Sequence, residues 1–130
     1  MCNLKDKKSH DIDKVNIQDK SDLIEGYWNP IIIGGLNGQH VKLVKVKGTF
    51  TMHHHDNEDE LFLVIKGEIK MDYGDRKIDI KEGEFIIVPR GIDHRPVADA
   101  DACLLLFEPA TTLNTGNVRN EFTVDSPEKK

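Results

Sequence analysis

Hydrophobic and polar positions alternate along short stretches of this chain, and glycine-rich turns separate the stretches. The clearest alternation covers residues 68–73, where Ile69, Met71 and Tyr73 fall on one face and charged side chains fall on the other. Successive side chains of a β-strand point to opposite faces, so this period of two predicts a half-buried strand. The unbroken apolar run 61–65 instead predicts a strand that is covered on both faces. Further strands are predicted at residues 31–33, 40–47, 78–80, 85–88 and 102–107.

Turn-forming residues separate these strands. Asn37-Gly38 is a strong hairpin signal, because both residues tolerate a positive φ. Helix is predicted at one place, a brief turn over residues 22–25 that Ser21 caps and Gly26 ends. Short strands at intervals of roughly 8–12 residues, with turn signals between them, are typical of an all-β sandwich or barrel.

Length and polarity together predict one domain with polar ends. The chain has 130 residues, which is the size of a typical single domain. We predict a flexible N-terminal tail over residues 1–13, the barrel domain over 14–112 and a partly flexible C-terminal extension over 113–130. The stretch 108–117 is expected to be a plain exit loop, although it could also fold over the barrel or contact a partner subunit. Trp28 is expected to pack against an edge of the barrel.

Composition narrows the class of protein without naming a function. Hydrophobic residues make up 38% of the chain and charged residues 32%, which is ordinary for a globular protein. The net charge is −5 and there is no basic stripe, so we expect no nucleic-acid partner. The apolar runs are too short to cross a bilayer and the N-terminus lacks the apolar segment of a secretory signal, which predicts a cytoplasmic protein with no membrane partner. Cys2 falls in the tail and Cys103 in an apolar strand, so no disulfide is expected and Cys103 is interpreted as a small buried hydrophobic residue.

Three consecutive histidines precede an acidic loop that ends at Glu60. On a strand, His53 and His55 project to the same side while His54 faces away. Glu60 opens the next strand, so it is the acidic residue best placed to join the two imidazoles. Imidazole and carboxylate ligands suit Fe, Mn, Ni, Co, Cu or Zn better than Ca or Mg. A second register that uses His54 with Asp56, and a solvated turn with no bound metal, both stay open at this point.

A second pattern lies further along the chain. Gly83 suits a tight turn, Pro89 ends a strand, and Gly91 allows a bend that can return His94 toward the barrel interior. A third histidine on the interior side would add to the pair from the first pattern.

The two patterns together resemble the motifs of the cupin superfamily. The first cupin motif contains a glycine, His-x-His, a glutamate and a second glycine, and it is matched by Gly48, His53-His54-His55, Glu60 and Gly67. The second motif contains a glycine, Pro-x-Gly and a histidine, and it is matched by Gly83, Pro89-Arg90-Gly91 and His94. Two departures stand beside these matches: Gly48 is one residue closer to His53 than is usual, and Ala98 takes the place of an asparagine that often follows the last histidine.

The resemblance implies a double-stranded β-helix, or jelly-roll barrel, with one divalent transition metal ion in the barrel mouth. The metal ligands of the superfamily carry over onto His53, His55, Glu60 and His94. Small single-domain cupins of this kind, often labelled mannose-6-phosphate isomerase-like on the fold alone, commonly form homodimers, so a homodimer is expected here.

Several functions stay open. The leading hypothesis is a metal-dependent enzyme of the oxygenase, isomerase or lyase type that acts on a small oxygen-rich molecule. The alternatives are a non-catalytic module that binds or senses a small ligand or metal, and a barrel with a vestigial site. No catalytic residue is assigned, because no acid–base pair, Ser-His-Asp order or nucleotide-binding fingerprint stands out. Phe62, Met71 and Tyr73 lie near the predicted site and are expected to be barrel core rather than cavity lining. Arg90 and Arg95 flank His94 and could contact an anionic substrate.

Overall fold

The computed structural model describes residues 12–130, and these residues form an all-β fold with one short helix. The helix α1 is Ile17–Ser21, and the strands are β1 Ile31–Leu36, β2 Gln39–Thr49, β3 Glu60–Lys66, β4 Glu68–Asp72, β5 Lys77–Lys81, β6 Phe85–Val88, β7 Arg95–Pro109 and β8 Glu128–Lys129. The predicted fold class is confirmed: the strands form the double-stranded β-helix of a jelly-roll barrel. The first eleven residues of the predicted tail, with Cys2, lie outside the described part.

The long strand β7 organises the barrel. Its first residues pair with β4 and also with the end of β2, and its later residues pair with β3 on one side and β2 on the other, all antiparallel. The strands β6 and β5 extend the sheet from β3 and β4. A strand of 15 residues that pairs with three neighbouring strands must curve, and this curvature folds the sheet around an interior.

The hairpin between β1 and β2 confirms the predicted turn. Asn37 and Gly38 have φ values of 51° and 74°, and Leu36 pairs with Gln39 across the turn. Two consecutive positive φ values define the two-residue turn whose twist suits neighbouring antiparallel strands.

Two apolar layers are buried, one inside the barrel and one outside it. The residue Val44 faces the interior, whereas its neighbour Leu43 packs in the outer layer with Ile24 and Ile31. Cys103 is buried in this outer layer, as expected for a small hydrophobic residue. Leu43 and Val44 are consecutive apolar residues that point to opposite faces, so this part of β2 is covered on both faces.

The helix lies one turn earlier than predicted. Asn16 caps α1 through its side chain, which accepts a hydrogen bond of 2.9 Å from the backbone N–H of Asp19. Ser21 is the last residue of the helix, and its Oγ lies 3.7 Å from Cys103 Sγ. The prediction that Ser21 begins the helix is thus wrong, because its hydroxyl faces a buried neighbour rather than the free backbone donors of a new helix.

The prediction of a plain exit loop after β7 is also wrong. Residues 110–127, here called the C-terminal strap, fold back over the barrel mouth, and β8 then pairs in parallel with β1. The predicted boundary at residue 112 stays a prediction. Within residues 12–130, no helix is long and apolar enough to cross a membrane.

Candidate metal centre

His53 and His94 are brought together by a backbone bridge between the two cupin-like motifs. The N–H of each residue donates to the carbonyl of the other, at 3.0 and 2.8 Å, and the ring centroids lie 4.4 Å apart. The Nδ1 of His53 lies 2.8 Å from the Thr51 carbonyl, and the Nδ1 of His94 lies 2.8 Å from the Ile92 carbonyl. Because a carbonyl can only accept, each Nδ1 carries the proton and each Nε2 carries a lone pair, which is the form that binds a metal.

His55 and Glu60 complete the group. The Glu60 Oε1 lies 3.2 Å from His55 Nε2 and 3.4 Å from His94 Nε2. One potential ligand atom from each of the four residues lies within 4.8 Å of the others, and all four side chains are at most 4% exposed. The structure thus brings together all four residues that the sequence predicted as ligands.

The polar atoms at the centre of this group lack hydrogen-bond partners among the described residues. They are His55 Nε2, Glu60 Oε1 and His94 Nε2. Buried polar atoms are normally paired, and lone pairs that face one another without a donor between them are costly. A cation that accepts all of these lone pairs removes the cost, so the residues present fit a divalent metal ion.

The electrostatics keep the group ready for a metal at neutral pH. Burial, followed by the nearby His94, lowers the pKa of His53 to about 4. Burial alone would raise the pKa of Glu60, but its close contacts with the side chains of His55, His94 and Glu108 outweigh burial and hold this pKa well below its usual range. A neutral imidazole and an ionised carboxylate are the forms that bind metals.

His54 stays outside the group. It faces away from the barrel, where its ring nitrogens lie 2.9 Å from Asp93 Oδ1 and 3.0 Å from Asp56 Oδ1. The hydrogen bond to Asp93 is the largest influence that raises the pKa of His54. The alternative register of His54 with Asp56 therefore corresponds to a surface pair, and it is separate from the buried cluster.

A buried ion pair lies beside Glu60, and the sequence analysis missed it. Lys42 and Glu108 are 2% and 1% exposed, and Lys42 Nζ lies 2.9 Å from Glu108 Oε1. Leu61 pairs with Phe107, so Glu60 and Glu108 follow next on adjacent strands and face the interior side by side. The sequence did contain a signal for this pair. Lys42 alternates with Val44 and Val46 on the inward face of β2, and Glu108 alternates with Leu104 and Leu106 on the inward face of β7.

A cavity of about 40 Å³ adjoins His53 and Glu60. Phe62 belongs to the interior core, as expected, and it also lines this cavity. Met71 is fully buried in the same core, as expected. Tyr73 lines a separate depression on the outer surface, which it shares with Pro89 and Ile92.

The two arginines that flank His94 are paired with carboxylates. The guanidinium group of Arg90 donates two hydrogen bonds to Asp59, at 3.2 and 3.3 Å. Arg95 Nε donates to Asp72 Oδ2 at 2.8 Å. Neither arginine is among the residues that line the cavity beside His53.

The C-terminal strap holds the histidine segment from outside. The His54 backbone N–H donates to Asn117 Oδ1 at 2.9 Å, and the Asn117 N–H donates to the His54 carbonyl at 3.1 Å. Asn120 Nδ2 donates to Thr51 Oγ1 at 2.7 Å, and Phe122 packs on Phe50 with ring centroids 5.1 Å apart. The strap therefore fixes the backbone between the two histidines of the first motif.

Comparison with known proteins identifies the family. A family profile for the cupin domain matches residues 40–108, which is more than half of the chain, so this chain belongs to the cupin family. The resemblance drawn from the two motifs is confirmed.

Individual relatives agree with this membership. The uncharacterized protein YdbB of Bacillus subtilis is 34% identical over 64 residues, which are 48% of this chain and 57% of that protein. A crystal structure of a cupin-2 domain containing protein from Shewanella frigidimarina matches 73% of this chain and 93% of its own, with 35% identity and a TM-score of 0.72. The crystal structure of protein NMB1881 from Neisseria meningitidis matches 75% of this chain and all of its own, with 30% identity and a TM-score of 0.69. The chain thus spans a little over half the length of its curated Bacillus relative.

Proposed function

We propose that this protein binds one divalent first-row transition metal ion through His53, His55, Glu60 and His94, and that a small oxygen-bearing molecule completes the coordination. The proposal rests on the three buried lone-pair atoms at the centre of the group that have no hydrogen-bond partner among the described residues. Three imidazoles and one carboxylate suit Fe, Mn, Co, Ni, Cu or Zn. When bound, the ion supplies Lewis acidity that polarises a ligand oxygen or lowers the pKa of water.

The protein's own residues orient the ligands and exclude water. The carbonyls of Thr51 and Ile92 fix the rings of His53 and His94 through their Nδ1 atoms. The four side chains are nearly inaccessible to solvent, so a metal-bound molecule is shielded from bulk water. Four protein ligands leave room for at most two more donors on a six-coordinate ion, which is enough for a bidentate oxygen ligand. Oxygenase, isomerase or lyase chemistry on such a ligand is the leading form of the proposal.

A non-catalytic binding or sensing module is the second candidate. It is favoured by the cavity lining, where the described residues place no acid or base beyond His53 and Glu60. Tight binding of a small ligand without conversion over hours would support this candidate, and turnover that is lost in His94→Ala would support the enzyme. Turnover that survives His94→Ala would rule out metal catalysis.

Metal content tests the site itself. We expect near-stoichiometric metal in tag-free wild-type protein and loss of that metal in the His53→Ala/His94→Ala double variant. His54→Ala is the matched control, because this histidine lies between two ligands but faces the surface, and it should retain the metal. Circular dichroism would confirm that each variant is folded. An absence of metal from the wild type, even after incubation with Fe, Mn, Co, Ni and Zn, would overturn the proposal, as would retention of metal in the double variant.

A homodimer is part of the proposal, and an exposed apolar surface supports it. Phe85 and Ile87 on β6 are 61% and 52% exposed, and they pair in register with Leu63 and Leu61 on β3. Contiguous apolar surface of this kind often marks a protein interface. Analytical ultracentrifugation should show a dimer for the wild type and a monomer for Phe85→Lys/Ile87→Lys. A monomeric wild type would contradict the proposal.

A cytoplasmic location completes the proposal. Cys103 is a free, buried thiol, which is compatible with a reducing compartment. Cell fractionation would test this location.

A further inference from the structure

The room beside the metal centre is small. The cavity that adjoins His53 and Glu60 measures about 40 Å³. A single water needs roughly 10–15 Å³ on this kind of scale, and an engineered cavity of about 150 Å³ holds a benzene molecule. A fragment that enters this cavity is therefore larger than water and smaller than benzene.

The cavity wall is almost entirely apolar. Apart from His53 and Glu60, its described lining residues are Trp28, Pro30, Val44, Val46, Phe50, Phe62, Pro96, Leu104, Leu106 and Asn114. The buried charges of Lys42 and Glu108 are not part of this wall. An incoming group thus meets hydrocarbon and aromatic surface on every side except the one that carries the metal ligands.

The polar atoms that the wall does contain are already paired. The Asn114 amide donates to the Phe122 carbonyl at 2.8 Å and accepts from the Val124 N–H at 2.9 Å. The Trp28 Nε1 donates to the Lys47 carbonyl at 2.9 Å. A hydroxyl placed deep in the cavity would lose its hydrogen bonds to water and find no new ones, which weakens binding about tenfold or more.

Segments outside the cupin match close this cavity. The family profile covers residues 40–108, whereas Trp28 and Pro30 precede it and Asn114 follows it. Trp28 stacks on Phe50 with ring centroids 4.7 Å apart, and Phe122 of the C-terminal strap covers both rings. The size of the cavity is therefore set in part by segments that lie outside the cupin match, while the rest of its wall lies within residues 40–108.

We infer that the ligand of this site is a short-chain aliphatic molecule that carries oxygen donors at one end, and that its alkyl end fills the cavity lined by Phe50, Phe62 and Leu106. The inference rests on the proposed metal site. It excludes polyols and sugar phosphates, because their hydroxyl groups find no partner in the wall. Each methylene that enters should tighten binding about fourfold until the cavity is full.

Titration of the Co²⁺-loaded protein tests the inference by visible absorption. The probes are straight-chain 2-oxo acids from glyoxylate to 2-oxohexanoate, with hydroxypyruvate as the polar match for 2-oxobutyrate. We expect Kd to fall about fourfold per methylene and then to rise once the chain exceeds the cavity. Hydroxypyruvate should bind at least tenfold more weakly than 2-oxobutyrate. Ligand-induced shifts in the unfolding temperature provide a second readout.

Two leucine variants on one strand localise the effect. Leu106→Ala enlarges the cavity, so the 2-oxo acid that binds most tightly should be a longer one. If Leu106→Ala fails to fold, Val44→Ala enlarges the same cavity and replaces it in the test. Leu105→Ala is the matched control, because this residue is the next on β7 and belongs to the outer layer, so the optimum should not change.

The possible results separate the inference from the proposed function. Failure of the wild type to bind Co²⁺ and each of Fe, Mn, Ni and Zn would overturn the metal proposal, and the inference with it. Binding of Co²⁺ with equal affinity for all chain lengths, or with no spectral response to any 2-oxo acid, would overturn the inference alone. Equal binding of hydroxypyruvate and 2-oxobutyrate would do the same.

Discussion

The ammonium group of Lys42 lies 2.9 Å from a carboxylate oxygen of Glu108, and both side chains are almost completely buried beside Glu60. Burial, and then the negative charge of Glu60, raise the pKa of Glu108, whereas the ammonium group of Lys42 opposes this shift and favours the carboxylate. Removal of two charges from water costs several kcal/mol, and only their mutual attraction offsets this cost. The pair therefore behaves as one unit in the barrel interior.

Loss of either partner should destabilise the protein more than loss of both. Lys42→Met or Glu108→Gln removes one member of the pair, leaves the other buried group without its ionic partner, and should lower the free energy of unfolding by about 3–5 kcal/mol. The double variant Lys42→Met/Glu108→Gln should recover most of this loss. Urea denaturation of metal-free protein measures each value.

An ion pair on the surface provides the control for the variants of Lys42 and Glu108. Lys47 Nζ lies 3.7 Å from Asp101 Oδ1, and both side chains are more than half exposed. Lys47→Met should change the free energy of unfolding by less than about 1 kcal/mol. A double variant of Lys42 and Glu108 as unstable as the sum of its single variants would contradict the coupling.

Gly116 of the C-terminal strap packs closely against the backbone of the histidine segment. Its φ is +55°, and a Cβ added there would clash with the carbonyl of His54. Gly116→Ala should therefore displace the strap, lower the free energy of unfolding by about 2 kcal/mol or more, and weaken metal binding. Urea denaturation, limited proteolysis of residues 110–127 and competition with a chelator measure the three effects.

Gly74→Ala is the matched control for Gly116→Ala. Gly74 also has a positive φ, of 92°, but nothing lies within 4 Å of an added Cβ. Its substitution should cost about 1 kcal/mol through backbone strain and leave metal affinity unchanged. Equal effects of the two substitutions on metal affinity would show that the strap does not support the site.

The cluster of three histidines and Glu60 could be predicted from the sequence because strand geometry fixes much of it locally. His53 and His55 share a face by alternation, and the bend at Gly91 returns His94 to the same interior. The pairing of His53 with His94 is itself a backbone bridge between the two motifs. The chemistry of the centre thus follows from short-range patterns that were visible along the chain.

The surroundings of the site could not be predicted in the same way. The strap has no hydrophobic period. Two hydrogen bonds hold it to His54, one holds it to Thr51, and one aromatic ring packs on Phe50. Such contacts between distant parts of the chain leave no local pattern. Asn16, rather than Ser21, caps α1, and Ser21 instead contacts Cys103, which lies far away along the chain.

The metal-free protein should lose stability in mild acid because of His53. Burial, and then His94, lower the pKa of His53 from 6.5 to about 4. Between these two values the unfolded chain binds more protons than the folded one, so the free energy of unfolding falls as the pH drops from 6.5 to 4. The loss is about 3 kcal/mol at most. Urea denaturation at several pH values measures it.

Substitution of single histidines assigns this pH dependence. His53→Gln removes the titrating group, so the decline in stability between pH 6.5 and 4 should become shallower. His54→Gln should leave the decline in place, because the pKa of His54 is raised rather than lowered. An unchanged decline in His53→Gln would show that another group is responsible.

Metal removal should lower the thermal stability of the wild type and leave that of the His53→Ala/His94→Ala variant unchanged. A ligand that binds only the folded state at a thousand times its Kd stabilises that state by about 4 kcal/mol. For a domain of this size, this corresponds to a shift in Tm of roughly 15 °C. Differential scanning calorimetry before and after chelation measures the shift. A wild-type Tm that does not respond to chelation would identify the cluster as a vestigial site, since the buried lone pairs of His55, Glu60 and His94 would then be tolerated without any cation between them.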